Sequence, residues 1–316
     1  MNRRQFLQSC TGLCALASSG WVSFPALGAE IISEPHDAEY WELLPDGRVH
    51  CLLCPNGCVR GDRERSLCRA REPRNGALKS LVWGNPCVLA LDPIEKCPLF
   101  HYQLPGPAFS IATAGCNLAC SYCQNWQFSQ KPPEETRNFS MRPSDVVAKA
   151  LEYKASAIAF FYTEPTIYIE YMKDVARAAR SKSLTTVMVT AGSINEKPLA
   201  DLLELIDAFT IGLKGFTDEY YRTVIKGSLQ PVLAAIKQVK ASGRHLELVN
   251  LLVPTLNDAE GDVSKLVDWV GDHLGTEVPL HFTRFNPQFQ LKSLPPTPVP
   301  VLERARRLAQ KKGLRF

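Results

Sequence analysis

Six short apolar runs recur along residues 109–316, and an amphipathic stretch follows each of them. The runs lie at 109–113, 157–162, 185–190, 208–214, 246–253 and 279–285. Runs this short read as buried strands, and the stretches between them read as helices. Strand and helix in strict alternation predict an α/β fold on a parallel sheet, since parallel neighbours need a crossover long enough to hold a helix. The alternation fits an open barrel or a doubly wound sheet. In either, chemistry collects at the carboxyl ends of the strands.

The helical stretches carry their own signals. Ser144, after Pro143, is expected to N-cap a helix whose inner face holds Val146, Val147, Ala150 and Leu151. Val263, Leu266, Val267, Val270 and Leu274 form a stripe closed by Gly275. Leu302, Ala305, Leu308 and Ala309 form the last stripe, with Arg304, Arg306, Arg307, Lys311 and Lys312 on a solvated face. Residues 314–316 read as the start of another strand. Residues 30–108 are rich in Pro, Arg and Cys and show little periodicity, which predicts a Cys-rich N-terminal segment ahead of a core at 109–316.

Hydrophobic residues make up 45% of the 316 and charged residues 22%, which excludes a disordered chain. The net charge of +4 gives no electrostatic footprint for a nucleic-acid partner. The N-terminus has the parts of an export signal. Arg3-Arg4 and Phe6-Leu7 precede a small-residue apolar stretch that ends at Gly28-Ala29. The paired arginines resemble the twin-arginine signal, so residues 1–29 are expected to be a leader that sends the protein to the periplasm. A cytoplasmic protein with a signal-like N-terminus is the alternative. Gly20 and Pro25 break the stretch as a membrane span, and no later segment is apolar enough to be a transmembrane helix. Cys10 and Cys14 fall in the leader, which leaves nine of the eleven cysteines to the mature chain.

Cys116, Cys120 and Cys123 follow the first run as C-x3-C-x2-C. Three thiolates on one short loop can hold three corners of a cuboidal iron–sulfur cluster and leave the fourth iron open. Structural zinc closes its site with four ligands, so a set of three fits it poorly. Cys51, Cys54, Cys58 and Cys68 form a second set of four, open to an iron–sulfur cluster, to zinc or to disulfides. Cys87 and Cys97 remain and read as buried structural thiols.

The stretch GCNLACSYCQNWQFSQ at 115–130 resembles the signature of the radical S-adenosylmethionine (radical SAM) superfamily. With Asp92-Pro93-Ile94-Glu95-Lys96 upstream, it is similar to the AmmeMemoRadiSam-system radical SAM enzymes, relatives of pyruvate formate-lyase activating enzyme. The resemblance spans roughly residues 50–316. It implies a partial (βα)6 TIM-like barrel and a [4Fe-4S] cluster on Cys116, Cys120 and Cys123. S-adenosylmethionine on the open iron would be cleaved reductively to a 5′-deoxyadenosyl radical that abstracts hydrogen. It further implies a flavodoxin- or ferredoxin-like electron donor and a protein substrate.

Carried onto this chain, the resemblance gives cofactor roles to Tyr122 beside the last cysteine and to Thr163 and Glu164 in the loop after the second strand. It gives Lys214 to the methionine carboxylate and His281 to the nucleoside. Asn257-Asp258 marks the fifth strand's loop and reads equally as an Asx turn. The chain departs from the family pattern at three places. Gly212 stands where Asp is expected, Ala191-Gly192 where Asn-Gly is expected, and Cys97 where Lys is expected. The resemblance also implies relatives that often continue past this C-terminus with a further cysteine-bearing segment. The alternative function is a non-catalytic iron–sulfur protein for electron transfer or cluster delivery, which would favour fully ligated clusters. A zinc hydrolase finds no HExxH helix here.

Overall fold

The computed structural model describes residues 34–316, so the expected leader at 1–29, with Arg3, Arg4, Cys10 and Cys14, lies outside the described residues. Six parallel strands form the core: β8 (Ala108–Thr113), β9 (Ala157–Phe160), β10 (Thr185–Thr190), β11 (Ala208–Gly212), β12 (His245–Leu252) and β13 (Leu280–Arg284). All six expected runs are strands, each within two residues at its start. They pair in chain order, from β8 next to β9 through to β12 next to β13. The ladder opens with Ala108 opposite Ala157 and closes with Leu252 opposite Arg284.

One helix of eight or more residues follows each strand: α1 (Pro143–Glu152), α2 (Ile169–Arg180), α3 (Glu196–Leu203), α4 (Leu229–Ala241), α5 (Glu260–Leu274) and α6 (Val299–Lys311). Parallel crossovers are right-handed, and here every one steps to the next strand on the same side. The helices therefore collect on one face, which selects the open (βα)6 arrangement over a doubly wound sheet, whose strand order reverses.

The two faces of the sheet bury different residues. Large side chains such as Phe109, Ile111, Phe160, Met188, Phe209, Ile211 and Leu248 pack under the helices. The other face is built of Ala108, Ala157, Ala159, Val187 and Ala208, which pack against Ile94, Cys97 and Leu99. Small residues there leave room for a plug formed by the chain between β7 (Pro86–Asp92) and β8. Glu247, fully buried near the start of β12, pins that plug through the Phe100 and His101 amides at 3.1 and 2.9 Å. Thr210 Oγ1 donates to the Cys97 carbonyl at 2.7 Å. Position 97 is wholly buried, and burial pushes its thiol up to about 12. A lysine there would bury an ammonium among these alanines, which accounts for the departure at 97.

The sheet reaches back beyond 109. β7 pairs antiparallel with β8, Asp92 opposite Ala108, and makes a seventh strand. Before it, β1 (His36–Asp37), β5 (Arg71–Arg74) and β6 (Ala77–Ser80) form one small sheet. β2 (Trp41–Leu43), β3 (Val49–Cys51) and β4 (Val59–Arg60) form another. Strands of two to four residues are too short to leave a periodic trace in sequence.

Two helix details differ from expectation. α1 starts at Pro143, with Asp145 accepting from the Arg142 amide at 2.8 Å, because proline suits the first helical position and Ser144 is already inside. Leu151 is 45% exposed, since the buried face of α1 follows Val146, Val147 and Ala150. The α5 stripe is buried as expected and ends at Gly275, φ 81°. Residues 314–316 form no strand, although Leu280 N donates to the Phe316 carbonyl at 3.1 Å.

Candidate active site

A cleft of about 380 Å³ opens over the carboxyl ends of β8–β13. Cys116, Cys120, Cys123, Tyr122, Thr163, Glu164 and Lys214 all line it, from three separate loops. A larger groove of about 470 Å³ between the starts of α5 and α6 holds none of these groups.

The cysteine loop is held from several sides. Gly115 N donates to the Phe128 carbonyl at 2.9 Å, and Ala119 and Ser121 N donate to Ile225 and Val224 at 3.3 and 2.9 Å. Gln130 Nε2 donates to the Leu118 carbonyl at 3.1 Å. Two sulfurs carry hydrogen-bond contacts: Leu118 N donates to Cys116 Sγ at 3.4 Å, and Ser129 Oγ lies 3.2 Å from Cys123 Sγ. The cleft meets three cysteines and no fourth. Three thiols on one loop, one with an N–H···S bond and one beside a hydroxyl, fit a cuboidal cluster with one iron left open. Burial pushes the Cys120 thiol up to about 11 and Cys116 well above its usual value, so thiolates here would form together with a bound metal.

Glu164 ends the β9 loop and is 3% exposed. Its carboxylate accepts from Thr190 Oγ1 at 2.5 Å, Thr166 Oγ1 at 2.8 Å, Ala191 N at 2.8 Å and Thr166 N at 3.3 Å. Burial holds its carboxyl above the usual range, against the pull of these donors. The side chain thus ties β9 to β10. At the Asn-Gly departure, Ala191 contributes its amide to Glu164, and Gly192 takes φ 71°.

Before Glu164 the backbone turns through Tyr162 at φ 67°, a conformation rare for a large side chain. Asn125 Nδ2 donates to the Tyr162 carbonyl at 2.6 Å. The Tyr162 hydroxyl donates to buried Asp92 at 2.6 Å, and Lys96 Nζ bonds both, at 2.8 and 2.9 Å. The Asp92–Lys96 motif is therefore a clamp on this elbow.

Lys214 is half-buried, and its ammonium lies 5.9 Å from the Tyr122 ring centre. Gly212 lies directly beside it: a Cβ there would stand in ordinary contact, 3.6 Å from Lys214 Nζ. None of the ion pairs among the described residues includes Lys214, so its charge is available to a ligand in the cleft. Its backbone is fixed at both ends. Lys214 N donates to the Tyr221 hydroxyl at 3.2 Å, and Asn257 Nδ2 donates to the Lys214 carbonyl at 2.8 Å. Asn257 also caps Val253 N at 2.6 Å, so it is more than an Asx turn. Asn250 Nδ2 holds the Leu213 carbonyl at 2.7 Å. Sequence reasoning passed over Asn250 and Tyr221. An asparagine inside an apolar strand run was the available signal.

His281 is not brought to this cleft. It lies near the start of β13, at the opposite end of the strands, with Nε2 2.6 Å from Glu247 Oε2. The side chains of its strand that reach the cleft are Thr283 and Arg284. Among the described residues, one set of three potential metal-ligand atoms lies within 4.8 Å of one another: His101, Glu247 and His281. His245 Nε2 and two backbone amides also bond Glu247 there, so its carboxylate is engaged in holding the plug.

The four N-terminal cysteines meet beside the active cleft. Cys51, Cys54, Cys58 and Cys68 are all buried. Cys51 N donates to the Cys58 carbonyl at 2.9 Å, and Gly57 N to the Cys54 carbonyl at 3.1 Å, which folds a tight knuckle. Burial pushes the Cys54 thiol up to about 12 and Cys68 to about 11. Cys97 lies in the plug, and Cys87 is partly exposed on β7.

Comparison with known proteins agrees with this geometry. The family model described as the radical SAM superfamily matches residues 110–268. An uncharacterized protein of Methanocaldococcus jannaschii is 42% identical over 280 residues, covering 89% of this chain and 83% of that protein. The pyruvate formate-lyase-activating enzyme of Streptococcus mutans is 23% identical over 180 residues, 52% of this chain and 66% of that enzyme. The crystal structure of a radical SAM methyltransferase from Sphaerobacter thermophilus superposes with TM-score 0.51 at 15% identity, over 66% of this chain and 64% of that one, which bears on the fold alone. With three cysteines, Glu164 and Lys214 gathered over a (βα)6 sheet, the chain belongs to the radical SAM superfamily, whose members use a [4Fe-4S] cluster and S-adenosylmethionine.

Proposed function

We propose that this protein is a radical SAM enzyme that cleaves S-adenosylmethionine reductively at a cluster held by Cys116, Cys120 and Cys123. The observation that carries the reading is the cleft itself, which gathers three thiols, an unpaired lysine and the Glu164 loop at the carboxyl ends of parallel strands. When bound and reduced, the cluster and cosubstrate supply a 5′-deoxyadenosyl radical for hydrogen abstraction. The chain's own residues position and exclude. Lys214 offers a cation to the methionine carboxylate, and the Tyr162–Glu164 elbow offers its backbone to the amino group. Tyr122 walls the cleft under Lys214, and the plug at 94–101 closes the far end of the sheet against water. Three cysteines with an open corner suit cosubstrate binding better than a carrier's fully ligated cluster.

Similarity to activating enzymes supports a protein substrate and a flavodoxin- or ferredoxin-like electron donor. Cys51, Cys54, Cys58 and Cys68 form a second metal centre. Anaerobic reconstitution with iron and sulfide, then a reductant-dependent assay for 5′-deoxyadenosine, tests the main reading. Product from the parent and none from Cys120→Ala supports it. Equal product from both, or none from a parent that holds its cluster, overturns it.

The paired arginines support export with the cofactor already in place. Fractionation of cells expressing the parent and an Arg3→Lys/Arg4→Lys variant tests this. Cleaved parent in the periplasm and retained variant support export, and uncleaved cytoplasmic protein in both refutes it.

A further inference from the structure

The two cysteine sets are in backbone contact. Cys116 N donates to the Cys68 carbonyl at 3.2 Å, and Asn56 Nδ2 donates to the Asn117 carbonyl at 2.8 Å. Asn195 holds the other side of the knuckle, through Leu53 O at 3.1 Å and Leu52 O at 2.8 Å. The contact is built into the sequence at Gly115. It has φ 93°, and a Cβ there would meet the Cys68 carbonyl oxygen at 2.3 Å. From Cys68 Sγ to Cys116 Sγ the path is covalent apart from one hydrogen bond.

We infer that Cys51, Cys54, Cys58 and Cys68 hold an iron–sulfur cluster that passes electrons to the cluster on Cys116, Cys120 and Cys123. The inference rests on the reading above for its acceptor. Its first half, the identity of the N-terminal metal, stands independently.

Spacing separates the metals. A tetrahedral zinc with Zn–S of about 2.3 Å holds its thiolates about 3.8 Å apart. Among the described residues no three cysteine sulfurs lie within 4.8 Å of one another. Four buried thiols of which no three close to the zinc distance suit ligands spread over several irons.

One buried donor reaches a sulfur of this set. Arg71 is wholly buried with Nη1 3.9 Å from Cys51 Sγ. It is held there by Glu170 and by the Glu39 carbonyl at 2.9 Å, while its Nε has no partner. Paired with Glu170, Arg71 brings little net charge, but its Nη1 is placed to donate to the sulfur, and hydrogen bonds to the sulfurs favour the reduced, more electron-rich form of a cluster and raise its potential.

The steps balance as single electron transfers. A flavodoxin- or ferredoxin-type donor loses one electron and the N-terminal cluster gains it. That cluster returns to its oxidised form as the cluster at Cys116–Cys123 is reduced. No bond forms or breaks, and no proton moves, before the cosubstrate is cleaved.

Two measurements test this. The first uses the Cys116→Ala/Cys120→Ala/Cys123→Ala chain, reconstituted anaerobically in the presence of iron, sulfide and zinc. Retained iron and sulfide with a paramagnetic signal on reduction are expected, and zinc or no metal overturns the inference. This outcome does not depend on whether the chain cleaves S-adenosylmethionine. The second uses the unaltered protein with both sites loaded, mixed rapidly with substoichiometric reduced flavodoxin and frozen at intervals. S-adenosylmethionine shifts only the open-cornered cluster's signal and so identifies it. The N-terminal signal should rise first and decay as the other grows. Simultaneous growth, or the reverse order, overturns the relay. An Arg71→Gln chain, which keeps all seven ligands, should show the N-terminal midpoint shifted to more negative potential, and an unchanged midpoint removes Arg71 from the account.

Discussion

The Tyr162 hydroxyl donates to the buried carboxylate of Asp92 across 2.6 Å, seventy residues apart in sequence. This bond joins the edge strand β7 to the loop that carries Glu164, and it holds a tyrosine at φ 67°. Tyr162→Phe leaves Asp92 with Lys96 alone and the strained turn held by the Asn125 bond to its carbonyl but not by its side chain. A hydrogen bond to a charged group is worth about 1.5–3 kcal/mol, so denaturant unfolding should show a loss of that order. Cosubstrate affinity should fall with it, and unchanged unfolding and affinity would remove the clamp.

Lys214→Ala should weaken S-adenosylmethionine binding roughly ten- to a hundredfold, the equivalent of about 1.5–3 kcal/mol for one charge-assisted bond. The cluster's absorbance should stay at the parental level, because Lys214 contributes no sulfur. Asn257→Ala should reproduce part of the loss by freeing the Lys214 carbonyl. Calorimetric titration of both variants checks the ordering.

Gly115→Ala meets the Cys68 carbonyl oxygen at 2.3 Å and an unfavourable φ together. Strain at such a position costs about 1–3 kcal/mol before the clash is counted. The variant should unfold at lower denaturant and lose the protection of the Cys116 amide in hydrogen exchange. Parental protection at Cys116 would mean that the contact is loose.

Glu247 gives a pH signature. Burial alone would raise its carboxyl, but His245, His281 and the His101 and Phe100 amides outweigh burial and hold it well below the usual value. A carboxyl lowered in the folded state contributes stability above its unfolded value, near 4.5, and loses it as pH falls towards the folded one. Acid titration of unfolding free energy should therefore slope downward below about pH 4.5 in the parent and less steeply in Glu247→Gln. The variant should also be less stable at neutral pH, since Gln cannot accept from four donors with full charge. Parallel acid slopes would show that other carboxylates dominate.

Much of the fold was legible because alternation of apolar runs with amphipathic stretches is a local pattern. The α5 stripe from Val263 to Leu274 and all six core strands could be read directly. That three cysteines gather at one place was legible for the same reason, since they share one loop. His281 was misplaced because a strand residue's neighbourhood depends on how far along the strand it lies. Residue 281 is near the amino end of β13 and the cleft is at the carboxyl end.

The order of the strands, and so the choice of an open (βα)6 sheet over a doubly wound one, was decided only by tertiary pairing. The same holds for the edge strand β7, whose partner β8 lies beyond a plug with no periodicity of its own. Spacing by itself named Cys51, Cys54, Cys58 and Cys68 as one ligand set. That their knuckle touches the Cys116 loop follows from long-range backbone bonds, such as Cys116 N to Cys68 O, between segments almost fifty residues apart. Sequence determines what repeats within a turn or a strand. Which distant carbonyl a given amide meets depends on packing the whole chain at once, and that is where the Asp92–Tyr162 clamp, the Asn257–Lys214 brace and the Glu247 pin reside.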